Sequence, residues 1–218
     1  MVKPADTDAE SWTDEELVGG HPALDFVNTA GGRTKARDRD RLIGYRALLV
    51  WAAAVGLLEA AEVAALARAA DMKPAQAGAL LARTKRFREA LHGLLTSLTS
   101  AQAQGLTGAP APPEPVTREI RAALAAAELA PDGSAYRWRV AAAGSGLRLP
   151  LHRLALAAQD LLSDRDLARL RSCARCSWLF LDRGRGRPRR WCSMAACGNR
   201  AKAARHYARR KRATAEPS

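Results

Sequence analysis

Four cysteines, and where they fall, constrain this chain more than any other feature. All four lie between residues 173 and 197, as Cys173-x2-Cys176, fifteen intervening residues, then Cys192-x4-Cys197. Two cysteines at the first spacing share one tight turn, so both thiolates can reach a single tetrahedral ion at about 2.3 Å. The second pair is expected to bracket the start of a helix capped by Ser193, which returns Cys197 to the side of Cys192. Trp178, Leu179 and Phe180 suit a short strand packed on that helix. A segment of about forty residues cannot build a core by apolar burial alone, so metal must supply much of its folding energy. Zinc is the expected cofactor, one Zn2+ per chain, and structural: four thiolates leave no open position for water. Two disulfides, four free thiols or an iron–sulfur cluster are the competing readings. A disulfide framework would spread cysteines along a secreted chain, whereas Met1–Trp12 is polar and acidic and has no apolar signal-peptide core. His206 lies about two and a half helical turns past Cys197, too far to replace a cysteine.

Charge follows the same division. The net charge is +13, and residues 171–212 alone hold 14 basic residues against one acid, Asp182. Residues 1–170 hold 21 basic and 20 acidic residues. An almost neutral body joined to a cationic tail points to a polyanionic partner, nucleic acid or, less often, an anionic membrane. With 48% apolar residues the chain is expected to be globular. It has no run of ~18 apolar residues that would span a bilayer. No membrane partner and a cytoplasmic location, with thiols reduced, are therefore expected.

The chain is expected to be α+β and mainly α. Residues 1–18 read as a flexible acidic lead, 19–170 as a helical body, 171–212 as the metal module and 213–218 as a disordered tail. In the body, Leu24 to Thr29 reads as a short strand or extended segment ended by Gly31-Gly32, and 33–41 as a solvated charged loop. Helices are expected over about 42–57, 59–70, 74–100 and 117–129, and another from Pro150. A β-hairpin is expected with Tyr136, Trp138 and Val140 on one strand, Gly144-Ser145-Gly146 as the turn and Leu147–Leu149 on the other. The body is expected to stay folded without the tail: truncation after Leu170 should remove nucleic-acid affinity alone, and Cys176→Ser should unfold the tail alone.

After the fourth cysteine, residues 198–212 read as a basic helix with Ala201, Ala204 and Ala208 as a narrow apolar stripe. Such a helix fits the major groove of DNA. A second basic cluster, residues 183–190, joins the two ligand pairs, and its glycines suit it to phosphates or a minor groove. The candidate nucleic-acid contacts are Arg185, Arg187, Arg189, Arg190, Asn199, Arg200, Lys202, Arg205, Arg209 and Arg210. DNA is favoured over RNA because few aromatic stacking residues lie in the tail beyond Trp178, Trp191 and Tyr207.

Cys173-x2-Cys176-Ser-Trp178-Leu-Phe180-Leu-Asp182, then Arg189-Arg190-Trp191-Cys192-Ser193-Met194-x2-Cys197-Gly198-Asn199-Arg200-Ala-Lys202, resembles the CGNR zinc finger. Gly19-Gly20-x2-Ala23-Leu24-Asp25-Phe26-Val27-Asn28-Thr29 is similar to the opening of the ABATE domain, which commonly precedes that finger. Residues 183–188 depart from the family pattern but leave the ligands intact. The resemblance implies a bacterial stress-induced transcription regulator: a DNA-binding finger and a body that senses an unidentified small-molecule effector. Asn199 and Arg200 then either read bases, or Asn199 closes a local hydrogen bond near Cys197 and Arg200 binds a phosphate or Asp182. Asp25, Asn28 and Thr29 either line a ligand pocket or hydrogen-bond local backbone. His21, His92 and His152 read as packing histidines. An RNA- or ribosome-associated module using the same tail is the alternative function. An enzyme is not expected, because residues 1–170 offer no nucleophile motif, phosphate loop or acid–base pair.

Overall fold

The computed structural model describes residues 12, 13, 15–106, 108–204 and 207. Among the described residues, six α-helices in the body, short 3-10 and π turns and two small antiparallel sheets make up the regular structure, so the mainly helical α+β class holds. The helices are α1 (Pro22–Val27), α2 (Tyr45–Ala54), α3 (Ala60–Met72), α4 (Pro74–Ala103), α5 (Glu114–Ala125) and α6 (Leu149–Ser163). Pro74 and Pro150 both stand in the first turn of their helices, where a missing N–H costs nothing. The 30-residue α4 is the spine, about 45 Å long. Its buried stripe of Leu80, Phe87, Leu91, Leu94, Leu95 and Leu98 recurs at three, four and seven. Phe26 of α1 packs between Trp51 of α2, at 5.5 Å between ring centroids, and Phe87, at 6.0 Å.

Two expectations are corrected. Leu24–Val27 is helical, not extended. Ala23, Leu24, Phe26 and Val27 are all fully buried, so this short helix has no polar face to reveal its period. Its local signals are His21, whose Nδ1 accepts from the Ala23 N–H at 3.2 Å, and Pro22 in the first turn. The hairpin also lies elsewhere: β1 (Glu128–Asp132) pairs with β2 (Ala135–Arg139) around Gly133-Ser134. Asp132-Gly133 is the stronger turn signal, with Gly133 at φ 63°. Gly144 and Gly146 instead lead into a 3-10 turn, Gly146–Arg148, that opens α6.

The second sheet pairs β3 (Leu170–Ser172) with β4 (Leu179–Leu181). Successive side chains of β4 face opposite ways. Leu179 and Leu181 join the main apolar core along with Leu170. Phe180 joins a second small core made of the four cysteines, against which Val18, Trp178 and Trp191 pack. One three-residue strand thus belongs to both the helical body and the cysteine module.

Candidate metal centre and nucleic-acid interface

The β3–β4 hairpin builds the first half of the cysteine site. The Cys173 N–H donates to Trp178 O at 2.9 Å, continuing the ladder one step and placing Cys173 and Cys176 on its tight turn. The Ala174 N–H donates to Arg190 O at 2.8 Å and ties this turn to the second half. There Ser193, extended at φ −145°, caps the turn Met194–Gly198 by accepting from the Ala196 N–H at 3.3 Å. That turn is of the wide π type and continues as helix to residue 204, bringing Cys197 back beside Cys192 as expected.

All four cysteines are buried and free of disulfides, and their sulfurs lie within 4.8 Å of one another. Cys176 Sγ and Cys192 Sγ are 3.8 Å apart. Four sulfurs at 2.3 Å around one tetrahedral zinc would be about 3.8 Å apart, so the set fits the ion. Its electrostatics argue the same way. Hydrogen bonds from the Cys176 and Cys192 thiols favour a thiolate at Cys173, which pushes the Cys176 thiol up to about 12 and Cys192 higher still. Four crowded thiols cannot all ionise by themselves; a divalent cation at their centre lets them. One metal ion is the group this site takes, and zinc is the expected one.

The sequence-predicted contacts divide into two kinds. Arg189 is part of the scaffold: its backbone N–H and Nε bind Asp182 at 2.8 and 3.2 Å, Nη2 binds Leu181 O at 2.7 Å, and its guanidinium lies 4.6 Å from the Phe180 ring centroid. These hydrogen bonds hold the Asp182 carboxyl below the usual range. Arg200 is also committed: Nη2 donates to Gly32 O at 3.1 Å and to Cys197 Sγ at 3.3 Å. Arg185, Arg187, Arg190, Asn199 and Lys202 are exposed, as is Arg189, but among the described residues no hydrogen bond or ion pair ties their side chains to the scaffold. Arg190 lies against Trp191, 5.5 Å from the ring centroid. Arg205, Arg209 and Arg210 lie outside the described residues, as do most of the acidic lead and residues 213–218.

Asp25, Asn28 and Thr29 are buried, and each has a protein partner. Asp25 Oδ1 accepts from the Gly19 N–H at 2.8 Å, and burial pushes its carboxyl up to about 6. A Cβ at Gly19 would sit 2.6 Å from Leu24 Cβ, so this latch needs glycine. Asn28 acts as a strand partner for β4: Nδ2 donates to Leu179 O at 2.8 Å, and Oδ1 accepts from the Leu179 N–H at 3.0 Å. Thr29 Oγ1 donates to Phe26 O at 2.7 Å and accepts from Arg88 at 3.0 Å.

The docking of finger on body is what sequence reasoning missed. The Leu181 N–H donates to Gly19 O at 2.9 Å, Trp178 Nε1 to Ala30 O at 3.2 Å, and His92 Nε2 to Ser177 O at 3.0 Å. Gly31 and Gly32, at φ 79° and 97°, lie so close that a Cβ would sit 2.1 Å from Ser177 Oγ and 2.6 Å from the Trp178 ring. The glycine pair was the available signal: it allows close approach as well as a turn. Leu170, Leu179 and Leu181 complete the body's own core, so the expectation that the two parts fold independently does not match the packing.

Residues 20–165 match the ABATE family, described as "Putative stress-induced transcription regulator", and residues 169–210 match the CGNR zinc finger. No curated protein matches the chain. No described helix is long and apolar enough to cross a membrane. With two thirds of its length matched, the chain belongs to the ABATE family and carries a CGNR zinc finger after that domain.

Proposed function

We propose that this protein is a zinc-dependent, DNA-binding transcription regulator acting in the cytoplasm, by binding rather than by catalysis. The observation that carries the reading is the sorting of the finger's polar side chains. Arg189 and Arg200 hold the scaffold, whereas Arg185, Arg187, Arg190, Lys202 and Asn199 are exposed around it. Cations on a rigid support suit phosphates, and an exposed amide beside them suits a base edge. Four thiolates give the zinc a structural role; it would hold the finger's shape, and the chemistry of recognition belongs to the side chains.

The body supplies a place for an effector. A cleft of about 700 Å³ lies between the β1–β2 hairpin and α6, walled by Trp138, Arg137, Asp160, Arg153 and His21. His21 caps α1, and α1 leads into Asn28, which clamps β4. A small molecule in this cleft would act on the finger through that one short helix. Equilibrium binding of the full chain to duplex DNA and to structured RNA, at matched salt and with zinc bound or chelated, tests the reading. Tighter binding to duplex, lost on chelation, is the expected result. Preference for RNA would move the function to an RNA-associated module, and binding indifferent to zinc would overturn the role given to the finger.

A further inference from the structure

Residues 33–41 carry five cations, Arg33, Lys35, Arg37, Arg39 and Arg41, and two acids, Asp38 and Asp40. Folding sorts them. Asp40 turns inward: Arg88 binds it through two nitrogens at 2.7 and 2.9 Å, and Lys85 adds a contact at 2.9 Å. Arg37 binds Glu89 at 2.6 Å and Val27 O at 2.8 Å. Arg41 pairs with Glu16 at 2.5 Å and lies over the Trp12 ring. Arg33 and Arg39 are left outward with Asp38, while Lys35, also exposed, reaches the finger. Among the described residues no carboxylate pairs with Arg33 or Arg39. A run that reads as a solvated mixture of signs therefore presents a net positive edge.

That edge lies against the finger. Lys35 Nζ donates to the carbonyl of Cys173, at the knuckle itself. Gly32, one residue before Arg33, accepts from Arg200 in the finger's last helix. Arg39 lines a groove with Ala196 and Arg200 of the finger, and Glu15 and Glu16 line it too. Within the finger, the knuckle that Lys35 reaches is tied to the second half of the module by the Ala174 N–H, which donates to Arg190 O at 2.8 Å. The contacts hold this loop to both halves of the finger, so its charges keep a set position beside the knuckle.

Building on the DNA-binding reading above, we propose that the 33–39 loop is a second phosphate-contacting element, and that nucleic acid lies across the seam between body and finger. Duplex DNA presents one charge for about every 1.7 Å of its axis, so a surface wider than the finger meets more phosphates. This also gives the body a direct hand in affinity: whatever shifts the loop relative to the knuckle shifts part of the cationic surface.

The test uses the full-length, zinc-loaded chain on a mixed-sequence duplex, with affinity measured between about 50 and 200 mM salt. Arg33→Ala with Arg39→Ala should lower the slope of log affinity against log salt by about two units, and weaken all sequences alike. Zinc content should be unchanged, since neither side chain touches the finger's ligands. Arg33→Lys with Arg39→Lys should restore the slope, which a merely structural role would not predict. Arg185→Ala with Arg187→Ala is the control within the finger. If the control lowers the slope and the loop variant does not, this inference is wrong and the DNA-binding reading stands. If the wild-type chain shows no salt-dependent binding, that reading fails and takes the inference with it.

Discussion

The two cores that meet at β4 differ in what holds them. On one side Leu179 and Leu181 join more than thirty buried apolar residues from the six helices and the segments between them. On the other, Phe180 joins the four cysteines, with Val18, Trp178 and Trp191 packed around them. The first core is of a size that apolar burial can stabilise at about 25 cal/mol per Å². The second is too small for that and depends on the ion its sulfurs surround. Yet the helical core is not closed by the helices alone, because its α1 edge is covered by the finger's strand. The metal-held part is thus a structural wall of the apolar part, and a disturbance on either side reaches the other through β4 and the hydrogen bonds that dock the finger on the body.

The largest expected effect comes from breaking the metal side. Chelation, or Cys176→Ser, should unfold the finger, since a structural zinc contributes on the order of 10 kcal/mol of apparent binding free energy at neutral pH. The shared strand predicts more. Thermal unfolding followed by helical circular dichroism should also shift down, because Leu170, Leu179 and Leu181 lose their places. Truncation after Leu170 should do the same. A melting temperature of the helical body unchanged by chelation would show that the two cores are separable after all. Metal content, expected at one zinc per chain, is read in the same preparation.

How far this was legible in the sequence divides along the same line. The ligand set was legible because Cys-x2-Cys and Cys-x4-Cys are local patterns, each formed on a single turn. The long helices were legible because α4 and α6 keep a period against a polar face. α1 was not, since a helix buried on every side has no contrast to read. The seam was not legible either: Asn28 meets Leu179 across 151 residues, and no periodicity links them. Nor could composition divide the arginines. Arg189 and Arg187 stand two apart in one basic run and are both exposed, and only the position of Asp182 makes the first a support.

Two substitutions in α1 and just beyond it sharpen the comparison from the apolar side. Asn28→Ala removes both hydrogen bonds to Leu179 and strands a buried N–H and C=O, at roughly 1–3 kcal/mol each. A loss of about 4 kcal/mol is expected by denaturant unfolding, together with faster zinc release to a chelator; unchanged zinc release would mean that the clamp serves the body alone. Asp25→Asn should act in the opposite direction. The Asp25 carboxyl is raised from 3.8 to about 6 in the folded chain. The folded state therefore holds its proton more tightly than the unfolded state. Its contribution to stability is full below about pH 4 and is lost as pH rises towards 6, a change of about 3 kcal/mol. The introduced amide would keep an acceptor for the Gly19 N–H without the buried charge, so the variant should be more stable at pH 7 and should flatten the profile between pH 4 and 6. A wild-type profile already flat over that window would refute the account.

The smallest effect separates neighbours within the finger. Arg200 bridges Cys197 to Gly32 O, whereas Asn199 is exposed beside it. Arg200→Ala should therefore speed zinc release and weaken binding to every sequence together, because it loosens the support rather than a base contact. Asn199→Ala should leave zinc release unchanged. Its cost should appear only in the gap between preferred and random duplex, at ~1–3 kcal/mol if the amide meets an adenine edge. The salt slope should stay as it is, since no phosphate contact is lost. Measuring chelator-driven zinc release beside the specificity ratio for both variants distinguishes the two roles. If Asn199→Ala released zinc as readily as Arg200→Ala, both residues would belong to the metal's supports, and sequence reading would fall to the exposed cations and to the shape of the duplex across the seam.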